Sequence, residues 1–296
     1  MAGPLHTVRT WGEMIKFSHS VFALPFALLA TFLAARPALP SGVQLGLIVV
    51  CMVAARSAAM TFNRLVDLPF DAANPRTAGR ALVRGTISRR AAWAFFGLAC
   101  VAFALGCAGF QFAVQPANPW PLRLCVPVLG WLCLYSYTKR LTRWSHVVLG
   151  VGIAMAPVAA WIAISPNTLG LSAWLLMAAV ALWIAGFDLI YACQDVDFDR
   201  QAGLHSVPAR LGVPAALWMA RGFHVLTVAG LVAVGSTAEL GVLYYAGVGA
   251  VALLLVVEHA LVSPRDLSRV NLAFFTVNGV VGLLLGTLGV LDVVLH

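Results

Sequence analysis

Charged residues are scarce in this sequence. Only 10% of its 296 residues are Asp, Glu, Lys or Arg, whereas 61% are hydrophobic and the mean hydropathy is +0.91. A soluble domain usually carries about a quarter charged residues. The composition therefore argues against an ordinary soluble domain. It predicts a polytopic integral membrane protein in which residues 1–296 form a single domain.

Cysteine patterns that bind metal or form disulfides are also absent. The six cysteines lie within or at the ends of apolar runs, and none forms a Cys-x-x-Cys pair. We interpret them as reduced packing residues. The net charge of +8 comes from basic residues in short loops, which is typical of membrane topology and of contact with anionic ligands. We therefore expect the lipid bilayer as a partner and no nucleic acid.

Long apolar runs occupy most of the chain. A bilayer core of roughly 30 Å needs about 20 apolar residues per helix. Nine such runs lie near residues 17–36, 43–66, 90–113, 121–138, 145–164, 171–193, 213–235, 239–262 and 271–295. The sequence therefore predicts an all-α integral membrane protein with nine transmembrane helices.

Basic residues indicate the orientation of these helices. Lys and Arg are concentrated before the first run and after the second, fourth, sixth and eighth runs, whereas the alternate loops hold only Arg36 and Arg123. Cytoplasmic loops carry the excess of Lys and Arg. We therefore expect a cytoplasmic N-terminus and an outer His296. The first run is long for a signal peptide, so we expect an uncleaved span in the inner (plasma) membrane.

The few acidic residues are concentrated in two cytoplasmic patches. Six of the eleven lie there, namely Asp67, Asp71, Asp188, Asp195, Asp197 and Asp199. A spacing of four places Asn63 and Asp67 on one helical face, and Asp195 and Asp199 on another. The alternating spacing leaves the direction of Asp197 open. Pro69 is expected to end the first helix, so that Asp71 lies just beyond it.

Carboxylates grouped in this way need a compensating cation. They repel one another, and a helix C-terminus is the negative end of the helix dipole. Oxygen ligands without His or Cys nearby favour Mg²⁺ first and Ca²⁺ second, and Mg²⁺ commonly bridges carboxylates to phosphate oxygens. The basic residues beside the patches would suit that phosphate: Arg64, Arg76, Arg80, Lys139, Arg140 and Arg200. The alternative is that the acids are solvated loop residues that balance nearby arginines.

Two further charged residues, Arg56 and Asp188, lie deeper inside predicted spans than the two acidic motifs. Arg56 precedes Asn63 by seven residues, and Asp188 precedes Asp195 by seven. Each is therefore on the same helical face as its motif, about 10 Å deeper. Charges within spans usually face a cavity. Arg56 would suit a carboxylate on a second substrate, and an Arg56–Asp188 structural pair is the alternative.

Taken in order, the motifs resemble those of the UbiA superfamily of intramembrane aromatic prenyltransferases. The Asn-x3-Asp-x3-Asp motif of that family matches Asn63, Asp67 and Asp71, and its Asp-x3-Asp motif matches Asp195 and Asp199. Its Tyr-x3-Lys-Arg segment is similar to Tyr135-Ser-Tyr137-Thr-Lys139-Arg140. The resemblance runs from about residue 12 to 212, and the last three spans match only in hydropathy.

The resemblance implies a central cavity with cytoplasmic cap loops and transfer of a prenyl group from a polyprenyl diphosphate to an aromatic acid. It implies that Mg²⁺ is held by Asn63, Asp67, Asp71, Asp195 and Asp199. It implies that diphosphate or acceptor is bound by Arg56, Arg76, Arg80, Lys139, Arg140 and Tyr135. Candidate catalytic residues are the four motif aspartates together with Asp188 and Tyr191, either of which could assist removal of the ring proton.

The sequence leaves open which of two aromatic acceptors the protein uses. It also leaves two other protein classes as alternatives to an enzyme. Most of the pattern is shared with 4-hydroxybenzoate polyprenyltransferases of ubiquinone-type biosynthesis, so 4-hydroxybenzoate is our first expectation. The stretch from Met14 to Pro25 looks more like a branch linked to menaquinone made by the futalosine route, whose acceptor is a naphthoate. A transporter or lipid carrier would favour midplane ion sites, whereas these acids lie at cytoplasmic exits. A structural subunit would not need two spaced acid motifs.

Overall fold

A computed structural model describes residues 4–16 and 22–296, and it is almost entirely helical there. The α-helices are α1 (Pro4–Met14), α2 (Leu24–Ala35), α3 (Gly42–Val66), α4 (Leu68–Ala73), α5 (Arg89–Phe112), α6 (Trp120–Leu141), α7 (Ser145–Ile164), α8 (Leu171–Ala192), α9 (Val196–Gln201), α10 (Val207–Leu211), α11 (Val213–Thr237), α12 (Val242–Ala260), α13 (Val270–Leu272) and α14 (Asn278–Leu295). The described ranges contain no β-strand, only an isolated bridge between Ser263 and Asp266. The all-α prediction is confirmed.

Within residues 4–16 and 22–296, seven helical stretches are long and apolar enough to cross a membrane, and two of them join neighbouring helices, α8 with α9 and α13 with α14. They are Gly42–Val66, Arg89–Phe112, Ser145–Ile164, Leu171–Gln201, Val213–Thr237, Val242–Ala260 and Val270–Leu295. The predicted fourth span forms a helix of 22 residues, α6, which is less apolar because it carries charges at both ends. The predicted first span begins in residues 17–21, outside the described residues, and continues as the 12-residue helix α2. A count of nine spans stays a prediction.

The chain divides into two compact units, and the first comprises Met1–Ser20 and Gly46–Tyr137. Within it, Met14 and Ile15 pack with Leu68, Leu82 and Ile87 in a buried cluster. This cluster ties the segment after α1 to α4 and to the loop between α4 and α5. The end of α3, which carries the first acidic motif, therefore lies beside a packed apolar layer instead of a free loop.

The second unit comprises Val21–Leu45 and Thr138–His296, and α8 lies at its centre. This helix is apolar nearly all round and packs most extensively against α7 and α11. A helix of that composition is expected to be buried on every side. Trp183, Ile184 and Leu176 are accordingly almost fully buried.

Small residues let α7 approach α8 closely. A Cβ atom added to Gly150 on α7 would clash with the backbone carbonyl oxygen of Ala181 on α8. Backbone atoms cannot move aside as a flexible side chain can, and small residues at helix crossings permit such close approach. The crossing aligns the N-terminal end of α7 with the C-terminal half of α8.

Asp292 connects two helices at the other end of this unit, away from the C-terminal end of α8. Its carboxylate is fully buried and accepts hydrogen bonds from the backbone N–H groups of Gly241 (2.6 Å), Leu243 (3.1 Å) and Tyr244 (3.3 Å). The first N–H groups of a helix lack intrahelical partners. Asp292 on α14 therefore caps α12, and its negative charge also suits the positive end of that helix dipole.

We expect the substitution Asp292→Ala to lower the free energy of unfolding by about 2–3 kcal/mol, because it removes charge-assisted bonds to buried N–H groups. The measurement is reversible unfolding in mixed micelles. Asp266→Ala is the matched control, because Asp266 is an exposed loop carboxylate whose Oδ1 accepts from the Ser268 N–H. Equal effects of the two substitutions would contradict the capping role.

Candidate active site

The first acidic motif lies where α3 passes into α4. Asn63 Nδ2 donates to Asp67 Oδ2 at 2.7 Å, as the spacing of four predicts. Helix α3 ends at Val66, before Pro69, and the short helix α4 then carries Asp71. Pro69 has no N–H to bond to the carbonyl four residues earlier, and proline is tolerated only in the first turn of a helix, which is consistent with the end of α3 and the start of a new helix here. The motif is therefore distributed over two helices that meet at Asp67.

Asp71 is held by the loop that follows α4. Its Oδ1 lies 2.5 Å from Arg80 Nη1, and its backbone carbonyl accepts from the Thr77 hydroxyl at 2.9 Å. The Arg76 N–H bonds to Asn74 Oδ1 at 2.9 Å, which shapes the loop. Arg76 and Arg80 therefore lie on the loop attached to the first motif, and their contact with diphosphate stays a prediction.

Arg56 is anchored to the segment after α1. Its Nε and Nη2 donate to the carbonyl oxygen of Lys16 at 3.3 and 3.1 Å. Burial, together with the nearby Arg64, Arg80 and Arg76, lowers the pKa of Lys16. An arriving anion would be favoured by this group of cations. Sequence reasoning used Lys16 only as a topology marker, since its sole local signal is a basic side chain before an apolar run.

The second acidic motif follows α8 through a change of helix type. Helix α8 ends at Ala192, a 3₁₀ turn spans Cys193–Asp195, and α9 begins at Val196. Asp195 and Asp199 are buried, whereas Asp197 between them is exposed. The sequence left the direction of the Asp197 side chain open. In the structure it points to the opposite side from the side chains of Asp195 and Asp199.

Asp199 is completely buried. Its Oδ1 lies 2.8 Å from Lys139 Nζ, and its Oδ2 accepts from the Ser206 hydroxyl at 2.8 Å. The His205 N–H in turn donates to the Lys139 carbonyl at 2.7 Å. The end of α6, which also carries Arg140, is therefore joined by an ion pair to α9 and by a backbone hydrogen bond to the turn before α10.

Asp188 lies one turn before the end of α8 and pairs with a histidine. His146 Nδ1 is 2.6 Å from Asp188 Oδ2. The sequence around His146 shows no ligand spacing that would indicate this pair. Nearby on α8, the Tyr191 ring packs on Phe274 with centroids 4.2 Å apart.

Tyr135 belongs to the first unit, on α6. It is half-buried and precedes Ser136, whose hydroxyl lies 3.5 Å from Asn63 Nδ2. The predicted Tyr-x3-Lys-Arg segment therefore follows one helix, with its tyrosine beside the first motif within that unit. Its Lys139 bonds to Asp199 within the other unit.

The donor atoms of the two motifs suit a hard divalent cation, because they are carboxylate and amide oxygens. The predicted ligands are divided in sequence, with Asn63, Asp67 and Asp71 in the first unit and Asp195 and Asp199 in the second. Among the residues that the structure describes, no group of three or more His, Cys, Asp or Glu side chains is placed to hold one metal ion. The five-residue Mg²⁺ set predicted from the resemblance therefore stays a prediction.

Known sequences match this chain over most of its length. A family model described as the UbiA prenyltransferase family matches residues 23–280. A 4-hydroxybenzoate octaprenyltransferase of Nitrosospira multiformis is 30% identical over 226 residues, covering 76% of this chain and 74% of that protein. Another, from Xanthomonas euvesicatoria pv. vesicatoria, is 35% identical over 213 residues, covering 71% and 67%.

Solved structures with the same fold are also similar. The apo structure of a UbiA homologue from Aeropyrum pernix K1 matches with a TM-score of 0.82 and 32% identity, over 93% of this chain and 98% of that chain. A UbiA homologue from Archaeoglobus fulgidus bound to DMAPP and Mg²⁺ matches with a TM-score of 0.75 over 97% and 100%. Its identity is 16%, so that likeness concerns the fold alone.

The Lys139–Asp199 pair is open to a direct test. We expect Lys139→Met to lower the free energy of unfolding by about 2–4 kcal/mol, because it leaves the buried Asp199 carboxylate without its cation. Adding Asp199→Asn should restore much of that loss, since the uncompensated charge disappears. Unfolding in mixed micelles measures both variants. Asp197→Asn, on the exposed side, is the control, and strictly additive effects in the double variant would contradict the pairing.

Proposed function

This chain belongs to the UbiA prenyltransferase family and is a membrane-embedded prenyltransferase, and we propose that it transfers a polyprenyl group from a polyprenyl diphosphate to 4-hydroxybenzoate. The product would enter ubiquinone-type quinone biosynthesis. The observation that carries the proposal is the arrangement of the two acidic motifs, each attached to a cationic side chain within its own unit. Asp71 pairs with Arg80, and Asp199 pairs with Lys139.

These pairs suit a diphosphate that is bound through Mg²⁺. We propose that the metal is held by Asn63, Asp67, Asp71, Asp195 and Asp199. When bound, Mg²⁺ would neutralise negative charge on the leaving diphosphate. The phosphate oxygens would be contacted by Arg76, Arg80, Lys139 and Arg140, with Tyr135 also in contact with substrate. Cations preorganised in this way stabilise the charge that develops as the allylic C–O bond breaks.

Arg56 is proposed to bind the carboxylate of the acceptor. Its guanidinium is held by the Lys16 carbonyl, so its orientation is fixed before an acceptor arrives. A planar guanidinium in a fixed orientation binds a carboxylate through two parallel hydrogen bonds. The acceptor would thereby present a ring carbon next to its hydroxyl towards the prenyl group.

The membrane supplies the setting for this chemistry. We propose nine spans with cytoplasmic cap loops around a central cavity, in the inner (plasma) membrane, with both motifs on the cytoplasmic side. The basic residues that flank the motifs support this orientation. Since the proposed chemistry needs both acidic motifs, we also propose that residues 1–296 act as one domain. An apolar surrounding would shield the allylic cation from water.

The proposed function is tested by incubating purified protein in detergent with a labelled polyprenyl diphosphate and Mg²⁺. Parallel reactions contain 4-hydroxybenzoate or a hydroxynaphthoate, and mass spectrometry reads the product. We expect a prenylated 4-hydroxybenzoate that disappears in EDTA. Product from the naphthoate alone would replace the acceptor and assign the chain to menaquinone biosynthesis. Flux of lipid across liposomes without any covalent product would favour a carrier.

The same assay tests the acidic motifs. We expect Asp67→Ala and Asp195→Ala to reduce kcat by at least about 100-fold, because each removes a carboxylate that positions and neutralises the diphosphate site. Asp197→Ala is the matched control, because this exposed aspartate lies in the same segment as Asp195. Full activity in both motif variants would refute the assignment of these carboxylates.

A further inference from the structure

His146 and Asp188 form a buried ionisable pair that the diphosphate site does not use. His146 Nδ1 lies 2.6 Å from Asp188 Oδ2. The pair joins the second residue of α7 to the last turns of α8, where Gly150 permits the two backbones to approach. The contact is therefore set by a rigid helix crossing and not by a loop.

His146 Nδ1 is the donor of this contact. A carboxylate has hydrogen-bond acceptors only, so the 2.6 Å distance assigns a hydrogen to His146 Nδ1 and makes Asp188 Oδ2 the acceptor. His146 Nε2 is buried and has no hydrogen-bond partner among the residues that the structure describes. Within that part of the chain, Asp188 is therefore the one hydrogen-bond partner of the ring.

The two side chains differ in accessibility. The Asp188 side chain is 21% exposed, whereas that of His146 is 4% exposed. Within the described part of the chain, His146 is the only hydrogen-bond partner of Asp188, and it binds a single carboxylate oxygen. Asp188 therefore keeps an oxygen for another ligand, and His146 can act only through Asp188.

Aromatic prenylation needs a base after the new bond has formed. When C1 of the prenyl group bonds to the ring carbon next to the hydroxyl, its bond to the diphosphate oxygen breaks and the ring becomes cationic. The ring carbon must then lose its proton, and the electron pair of that C–H bond returns to the ring. A positioned carboxylate within hydrogen-bond reach serves as such a base.

We propose that His146 is a positioning residue that holds Asp188 as the carboxylate that accepts this ring proton. The inference rests on the proposed function, which assigns no residue to the removal of the ring proton. The proton moves from the ring carbon to Asp188, which becomes a neutral carboxylic acid and returns the proton to water after the product leaves. Tyr191 is the less suitable base, because its ring is packed on Phe274 with centroids 4.2 Å apart.

The experiment measures product formation with 4-hydroxybenzoate carrying deuterium at the two positions next to its hydroxyl. In the unaltered protein we expect equal kcat for the deuterated and ordinary acceptors. In His146→Leu we expect kcat to fall about 10- to 100-fold, with a normal deuterium isotope effect, because removal of the ring proton becomes slow. Asp188→Asn should show the same isotope effect.

Two further variants separate positioning from packing. His146→Asn keeps an amide N–H close to the position of Nδ1, so we expect it to restore part of kcat and to reduce the isotope effect. His224→Leu is the control, because His224 is a buried histidine whose hydrogen bonds go to His259 and the Trp183 carbonyl, with the Glu258 carboxylate 3.7 Å from its Nδ1, so it does not hold Asp188. We expect no isotope effect in that variant, whatever its thermal stability.

The outcomes are distinct. If the unaltered protein prenylates 4-hydroxybenzoate but His146→Leu shows no isotope effect, the inference about His146 is overturned and the proposed function stands. An isotope effect in His224→Leu equal to that in His146→Leu would also overturn it, since general loosening would then explain both. If the unaltered protein prenylates neither acceptor, the proposed function fails and this inference fails with it.

Discussion

Removing a carboxylate from water costs several kcal/mol unless it gains a cation or hydrogen-bond donors, and this constraint governs how the polar parts of the protein are built. Asp71 is held by Arg80, and Asp199 by Lys139 and Ser206. Asp292 instead uses backbone N–H groups at the start of α12. Each buried acid thereby joins two segments that are distant in sequence or separated by a turn.

The same constraint extends into the interior of the second unit. Asn278 Nδ2 donates to Glu258 Oε1 at 2.7 Å, and Trp183 Nε1 donates to Asn278 Oδ1 at 2.7 Å. These bonds connect α8, α12 and α14. In a low-dielectric setting a hydrogen-bonded network of this kind fixes the relative positions of helices more specifically than apolar packing alone.

Helix contacts without charge rely on small residues. Gly150 brings α7 against α8, and Gly186 brings α8 against His224 on α11. Helices in lipid gain little from burying apolar surface against one another, so close van der Waals packing and interhelical hydrogen bonds stabilise them instead. In this protein the close packing also has a functional consequence, because the α7–α8 crossing is what places His146 beside Asp188.

The proposed reaction makes opposite demands on its surroundings. A diphosphate needs cations and metal-binding carboxylates, whereas an allylic cation must be kept from water. The acidic motifs lie at the ends of apolar helices, where both conditions are available: Asn63 and Asp67 at the end of α3, Asp195 and Asp199 after α8. The deeper residues Arg56 and Asp188 lie on the same helices, about two turns further into the apolar region.

Much of the architecture and half of the site could be predicted from the sequence, because the signals are local. Apolar runs predicted α3, α5, α7, α8, α11, α12 and α14 to within a few residues, since bilayer thickness sets their length. The Asn63–Asp67 bond follows from helical spacing alone. The break before Pro69 follows from the geometry of proline.

Only the tertiary structure decided which groups the other charged residues meet. His146 is 42 residues from Asp188, Lys139 is 60 residues from Asp199, and Asp292 is about 50 residues from the N–H groups that it caps. No periodicity connects such positions. Their pairing depends on how helices cross and on which backbone lacks a side chain at the crossing, as at Gly150. Sequence alone therefore determined where the polar residues lie along the membrane helices, whereas packing determined their partners.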